Sequence, residues 1–433
     1  MRSTFTTLFI SLVVLFRPFA QPAETQAPRV IFKDTPRKTF YMGYVIPGGV
    51  ANYDKSKEGI EFMAVKWAIS GGITGQSTNQ LAKKMDDLGM QLEASSELDY
   101  STIEVIGLKE FWKESLDIFI EILTKPGMDQ KAFESVKEDL ALQAFYTQQE
   151  PEGRLFQLSM NNLFSGTDYS KRSEGTASSI NQLESEEVSN YFRQLIATKK
   201  GFFVVVGNFS KEEKEQIRNL VSNASTGSDS SKANEPQQLP KSMSVTEAAL
   251  ETNYLRGLIL SPELTEPDGF SMLMAIQVLN ARIFNRIRSV EGLSYGPQAY
   301  YALGVLSNPY SVIQLDSESP LKAIQVIMEM LQIIKEEGIT EKELIRTKSS
   351  YLTENYLSEE TTPAQGQSLY LAALRNEYLI TDQFNERINA VTVSEVNEVL
   401  KKYLTKVYWT YLGKNTEQFS SAIKERVTTV GLD

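Results

Sequence analysis

Arg288 and Tyr295 carry the clearest chemistry in this sequence. From Phe284 the chain runs FNRIRSVEGLSYGPQAYY, which sets the two seven residues apart with Gly292-Leu293 between them. Arginine offers five N–H donors, and a tyrosine hydroxyl offers one donor that also accepts. Together they suit gripping a carbonyl oxygen and stabilising the oxyanion that forms when it is attacked. The residue order puts Arg288 in the last turn of a helix, stops that helix at Glu291-Gly292 and begins a strand at Tyr295, so the two side chains can converge. A cation near a helix C-terminus is favoured by the helix dipole in any protein, so the pair alone does not specify a reaction.

The remaining composition removes more chemistry than it adds. Among 433 residues there is no histidine and no cysteine. Ser/His and Cys/His nucleophilic mechanisms, histidine-ligated zinc and thiolate metal sites are therefore closed to this chain acting alone. It also has no disulfide and no cysteine to carry a lipid anchor. Gly71-Gly72 and Gly75 lack the following Lys-Ser/Thr of a phosphate-binding loop. Paired carboxylates could run acid–base chemistry without histidine, but nothing in the sequence selects a pair. The acidic clusters at Glu184–Glu187 and Glu336-Glu337 read as solvated faces at a helix start and a helix end.

These side chains must be positioned by a chain of recognisable parts. Residues 1–20 read as a secretory signal peptide: Arg2, an apolar run from Leu8 to Phe16 too short to span a bilayer, then Arg17-Pro18, with cleavage after Ala20 or Ala23. Removing it leaves 42 basic against 55 acidic residues, a net charge of −13. That balance argues against nucleic acid and against anionic membrane surfaces as partners. No stable membrane insertion is expected. Residues 222–244, rich in Ser, Asn, Gly and Pro, read as a flexible linker between an N-terminal domain, 28–221, and a C-terminal domain, 245–433.

The two halves repeat one another's landmarks in order. Gly59 opens a helix with Ile60, Met63, Ala64 and Trp67 on one stripe, and Gly269 opens another with Met272, Ile276, Leu279 and Ile283. Amphipathic helices around Leu116–Leu123 and Ile324–Ile334 precede turns at Gly127 and Gly338 that lead into further helices. Helix starts at Glu187-Val188 and Glu395-Val396 precede the β-rich runs GFFVVVG (201–207) and VYWTYLG (407–413). Strands are expected at Thr102–Ile106 and Ser311–Leu315. The fold expected is α+β: two homologous αβ domains, each a mostly antiparallel sheet packed against helices.

The segment GIEFMAVKWAISGG, from Gly59 to Gly72, resembles the zinc helix of the pitrilysin and insulinase metallopeptidases, the inverzincins, whose motif is His-x-x-Glu-His. The resemblance places the first ligand at Phe62, the catalytic acid at Val65, the second ligand at Lys66 and the third ligand near Gln143, with Glu138 in the same helix. None of the first three can do the job, since phenylalanine cannot coordinate, valine cannot take a proton and lysine repels a cation. The Arg-x-x-x-Gly-Leu-x-Tyr segment around Arg288 and Tyr295 is similar to the substrate-binding segment of the opposite half in that family.

The resemblance spans Arg29 to the C-terminus. It implies a subunit similar to those of mitochondrial processing peptidase and of bacterial heterodimeric zinc peptidases. On this reading the chain binds no metal of its own. A homologous partner bearing His-x-x-Glu-His would supply zinc and the general base, the two would close as a clam shell around peptide substrates, and Arg288 and Tyr295 would support the scissile carbonyl. The rival expectation is a non-enzymatic scaffold or peptide-binding protein of the same fold, as in core proteins of respiratory complexes. The signal peptide implies a secreted, periplasmic location.

Overall fold

The structure, a computed structural model, describes residues 30–198, 201–222, 242–302, 309–375 and 383–421. The signal peptide and all of the linker between 223 and 241 lie outside the described residues.

The first half contains β1 (Val30–Asp34), β2 (Thr39–Pro47), α1 (Ile60–Ser70), α2 (Thr78–Asp87), β3 (Gln91–Ser96), β4 (Tyr100–Leu108) and α3 (Trp112–Thr124). It continues through α4 (Gln130–Gln149), α5 (Pro151–Leu163), α6 (Ala177–Asn181), α7 (Ser185–Thr198), β5 (Phe202–Gly207) and α8 (Lys211–Val221). The second half contains β6 (Met243–Glu247), β7 (Asn253–Leu260), α9 (Gly269–Ile283), a π-helical turn (Phe284–Val290), β8 (Gln298–Ala302) and β9 (Tyr310–Ser317). Then follow α10 (Pro320–Glu337), α11 (Glu341–Ser358), α12 (Thr362–Leu374), α13 (Phe384–Ala390), α14 (Val393–Tyr403) and β10 (Tyr408–Gly413). Met243 and Ser244, assigned above to the linker, pair as the start of β6 with Trp409 and Thr410.

Among the described residues each half builds one five-stranded sheet, in the orders β1-β5-β2-β4-β3 and β6-β10-β7-β9-β8. Strand for strand the two orders are the same. Only the β1–β5 and β6–β10 pairs are parallel; the other pairs are antiparallel, as the expected fold class requires. β5 is buried at every residue, which is why FFVVVG reads as an unbroken apolar run rather than an alternating one. Helix starts follow from local capping. Thr392 accepts from the Glu395 backbone while the Glu395 carboxylate accepts from the Thr392 backbone at 2.7 Å, a box worth roughly 1 kcal/mol.

The inner face of the first sheet, with Phe40, Met42, Ile103, Val105 and Phe203, packs on α1, α3, α4 and α7. Leu255, Ile259, Ile313, Trp409 and Tyr411 of the second sheet pack likewise on α9, α10 and α14. The outer faces are covered by exchange. α5, from the first half, lies across β7 and β10, and α12, from the second half, lies across β2 and β5. Leu369, Tyr370 and Ala373 of α12 join Tyr41, Val45, Phe202 and Val204 in a separate buried cluster. Each large apolar side chain buried there contributes roughly 1.5–3 kcal/mol. The close approach requires Gly366, since a Cβ there would collide with the Tyr41 ring.

Candidate functional site

Helix α1 forms because Gly59 caps it in the left-handed conformation and because its apolar residues are buried on nearly all sides. Met63, Ala64 and Val65 have no exposed surface. Its first turn is tied down by Glu61, which is itself wholly buried. The Glu61 carboxylate accepts from Ser101 Oγ at 2.6 Å, Tyr191 OH at 2.6 Å and Asn52 Nδ2 at 3.0 Å. Three donors suit a carboxylate held in its charged form. At the other end, Trp67 Nε1 donates to the Asp129 carbonyl at 2.9 Å, and its ring meets Phe133 edge-on with centroids 4.8 Å apart. The helix that would carry a zinc motif is therefore fully built.

Its chemistry is another matter. Phe62 and Lys66 lie one turn apart on the half-buried face, with Lys66 Nζ 5.5 Å from the centre of the Phe62 ring. The two positions thus share one side of the helix, as two metal ligands would, but they hold a π face and a cation. Val65 is sealed in the core, and Gln143 stands exposed on α4. These side chains do not fit zinc, because none of the three on α1 offers a lone pair that a metal could use at neutral pH. Among the described residues no group of three or more aspartate, glutamate, cysteine or histidine side chains comes together to hold a metal ion.

In the second half, α9 runs on into the π-helical turn Phe284–Val290. The bonds from Glu291 N to Arg286 O and from Leu293 N to Ile287 O close that turn, and Gly292 terminates it with φ +61°. The expected stop at Glu291-Gly292 is where the helix ends. The expected strand start at Tyr295 is not: residues 291–297 are irregular and β8 begins at Gln298. The reason is the left-handed Gly292, which reverses the chain so that several residues are needed before the sheet is reached.

The same reversal folds Tyr295 back over the turn. Arg288 lies between two aromatic rings, its guanidinium carbon 4.2 Å from the centre of Tyr295 and 4.9 Å from that of Phe284. Arg288 and Tyr295 are thus brought together. They meet at the surface, where Tyr295 is 79% exposed. The neighbouring carboxylate, Glu291, is engaged by Arg286 and Lys322, both at 2.9 Å, and no acid among the described residues pairs with Arg288. Ring stacking uses the faces of the guanidinium and leaves its in-plane N–H groups available. Arg282, six residues earlier, fastens α9 to α11 through Glu343 at 2.7 and 3.0 Å and the Gly338 carbonyl at 3.0 Å. That hydrogen-bonded guanidinium holds the Glu343 carboxyl down at about 2.

The structure adds residues that sequence reasoning passed over. Phe284 completes the Arg288 sandwich, and its signal was an aromatic four residues before an arginine on a helix. The Glu61 network had only an acid inside an apolar stripe to announce it. The acidic cluster before α7 is more than a solvated face: Glu184, Glu186 and Glu187 line a cavity of about 720 Å³ with Asn52, Tyr53 and Tyr191, and Glu187 pairs with Lys57 at 2.5 Å.

Comparison with known proteins bears on these features. Residues 29–177 match the family model described as Insulinase (Peptidase family M16), and residues 182–351 match the one described as Peptidase M16 inactive domain. A protein of Helicobacter pylori described as "Non-peptidase homolog YmxG" is 22% identical over 389 residues, covering 84% of this chain and 86% of its own length. The "Uncharacterized zinc protease YmxG" of Bacillus subtilis is 19% identical over 347 residues, 78% and 84% of the two chains. The crystal structure of a peptidase M16 inactive domain from Pseudomonas fluorescens superposes with a TM-score of 0.79 at 19% identity, over 90% of this chain and 96% of that one. The periplasmic protease PqqL from Escherichia coli matches with a TM-score of 0.72 at 14% identity, and 87% of this chain covers 43% of it.

Proposed function

The chain belongs to peptidase family M16, and from that membership we propose that it is the catalytically incomplete subunit of a heterodimeric zinc peptidase, lending Arg288 and Tyr295 to a partner that bears His-x-x-Glu-His. The observation that carries this reading is the contrast between two built helices. α1 is fastened in place yet has no ligand side chain at the two zinc-motif positions, Phe62 and Lys66, whereas the turn after α9 holds Arg288 stacked between Phe284 and Tyr295 with no carboxylate among the described residues paired to it. A guanidinium so held can direct two N–H groups at a peptide carbonyl, and the Tyr295 hydroxyl adds a third donor. When the carbonyl becomes an oxyanion these contacts strengthen, which lowers the barrier rather than merely binding substrate. The partner supplies zinc and the general base, and the pair closes as a clam shell around an unfolded peptide. In this reading, of the domains 28–221 and 245–433, the second carries the residues lent to the partner and the first carries the degenerate helix.

Location follows the same reasoning. The N-terminal segment supports export, and PqqL, which shares the fold, is described as periplasmic. Among the described residues no helix is long and apolar enough to cross a membrane. The Helicobacter relative's description as a non-peptidase homolog favours a second reading, in which the same surface binds peptide without cleavage.

Co-expression with a secreted chain carrying an intact zinc helix separates the two. The proposal expects co-purification, zinc in the pair but not in this chain, and peptide cleavage by the mixture alone. Tyr295→Phe should lower turnover with zinc content unchanged. Equal cleavage after both Tyr295→Phe and Arg288→Ala would end the catalytic-support reading.

A further inference from the structure

Peptide hydrolysis changes the group that Arg288 and Tyr295 hold. In the catalytic reading above, on which this inference rests, the pair grips a neutral carbonyl. Water adds its oxygen to that carbonyl carbon and the C–N bond breaks, its electron pair leaving with nitrogen. The amine formed takes up a proton, and the acid left behind is a carboxylate at neutral pH. At the same carbon the ligand has gained a negative charge and a second oxygen.

The Arg288 site suits that second form better than the first. Phe284 and Tyr295 lie over the guanidinium at 4.9 and 4.2 Å, so a ligand meets it along the edge that carries its N–H groups. Two parallel N–H groups match the two oxygens of a carboxylate, whereas a carbonyl offers one oxygen and no charge. The rings also keep water from the faces and hold the side chain ready before a ligand arrives, and both effects strengthen contacts made at the edge. The two preceding arginines of the same helical run are already matched to acids of this chain, Arg282 to Glu343 at 2.7 Å and Arg286 to Glu291 at 2.9 Å. Arg288 is half-buried and has no such acid among the described residues, so an incoming carboxylate displaces none.

We propose that this is a product site: it retains the amino-side fragment of a cleaved peptide through the new C-terminal α-carboxylate. The ligand class is therefore peptides with a free C-terminus, bound more tightly than the uncleaved chain they come from. The α-carboxylate is the group held, rather than a side-chain acid, because its carbon is the former scissile carbon and its backbone already lies along the site.

The test uses the full mature chain alone and an N-terminally labelled alanine tripeptide, as the free acid and as the C-terminal amide, followed by fluorescence anisotropy. The free acid should bind about fivefold more tightly than the amide. Arg288→Lys, which replaces the planar fork by a point charge, should remove most of that preference, with an unchanged melting temperature showing that folding is not what the assay reads. Tyr295→Phe keeps the ring and loses the hydroxyl, so it should weaken binding by less than about threefold and keep the preference. Arg286→Ala should leave the preference in place, since that guanidinium is engaged by Glu291. Equal binding of acid and amide would overturn the proposal, as would an amidated tripeptide ending in aspartate that binds as well as the free acid, or a loss in Arg286→Ala as large as that in Arg288→Lys. Absence of the preference while turnover of the reconstituted pair still falls in Tyr295→Phe would overturn this inference alone, so its failure and that of the catalytic reading are distinct results.

Discussion

The two outer sheet faces are covered in the same way and charged in opposite ways. Under α12, the first sheet presents Glu104 among Tyr41, Tyr100 and Tyr370, and burial pushes the Glu104 carboxyl up, although the nearby Thr102, Tyr41 and Tyr370 hydroxyls partly offset it. Under α5, the second sheet presents Arg256, only 3% exposed, with its guanidinium 5.2 Å from the centre of Phe156 and 5.8 Å from that of Tyr300 and bonded to Gln314. Next to it, burial pushes the Tyr310 hydroxyl up to about 12. Burial of apolar surface is non-directional, so it preserves strand order and helix placement through large sequence change. A charge depends on its few immediate neighbours, so the two copies are free to diverge at those positions. The corresponding helices diverge by the same rule, with Phe62 and Lys66 half-buried on α1 and Arg288 in the turn that continues α9.

Substitutions at these charges sharpen the comparison. The largest loss is expected at Glu61→Ala, which removes the acceptor from buried Ser101 and from half-buried Tyr191 and Asn52. At about 1–3 kcal/mol for each unsatisfied group, chemical denaturation should register a loss of about 4 kcal/mol after partial relaxation. Glu61→Gln, which keeps the volume, should lose less. Arg256→Ala comes next, at about 2–4 kcal/mol, because it removes both the ring stacking with α5 and the packing of the arginine stem. Arg256→Met should recover most of that, since a buried charge contributes less than the apolar volume replacing it. If Met and Ala are equally costly, the charge itself holds the second seam, and the account of the seams as apolar contacts with tolerated charges breaks.

The opposite sign is expected at the first seam. A carboxyl whose pKa is raised by burial costs stability above that raised value, where the folded chain must hold it charged, and costs nothing below its ordinary value. Glu104→Gln should therefore raise the melting temperature near neutral pH, by less than either loss above, and the gap should close as the pH falls into the usual carboxylate range. A gap that widens on acidification would contradict it. The smallest effect is at Glu343, whose lowered pKa contributes stability above its ordinary value that is lost as the pH falls towards about 2. Since the Arg282–Glu343 pair is about a quarter to a third exposed, Glu343→Gln should cost up to about 1 kcal/mol near neutral pH and nothing near pH 2.

Much of this architecture was legible from the chain alone. The stripes opened by Gly59 and Gly269, the run FFVVVG and the helix start at Glu395-Val396 are local signals, and periodicity and capping act over a few residues. That Phe62 and Lys66 cannot ligate zinc and that Val65 cannot take a proton was legible too, because side-chain type decides it in any fold. The exchange of α5 and α12 across the halves was not, since it depends on which apolar face each helix finds after the chain turns at Pro151 and at Thr361. The Arg288 site lay between these cases. Its two residues and its glycine stop could be read, but the π-helical turn, the placement of Tyr295 outside the strand and the stacking of Phe284 could not. Those follow from a backbone that reverses at Gly292 and brings rings from both sides onto one guanidinium. Residue type fixed which chemistry was open to this protein, and tertiary packing decided which side chains meet, because contacts between distant residues are set by the competition of whole faces for burial rather than by any local run of sequence.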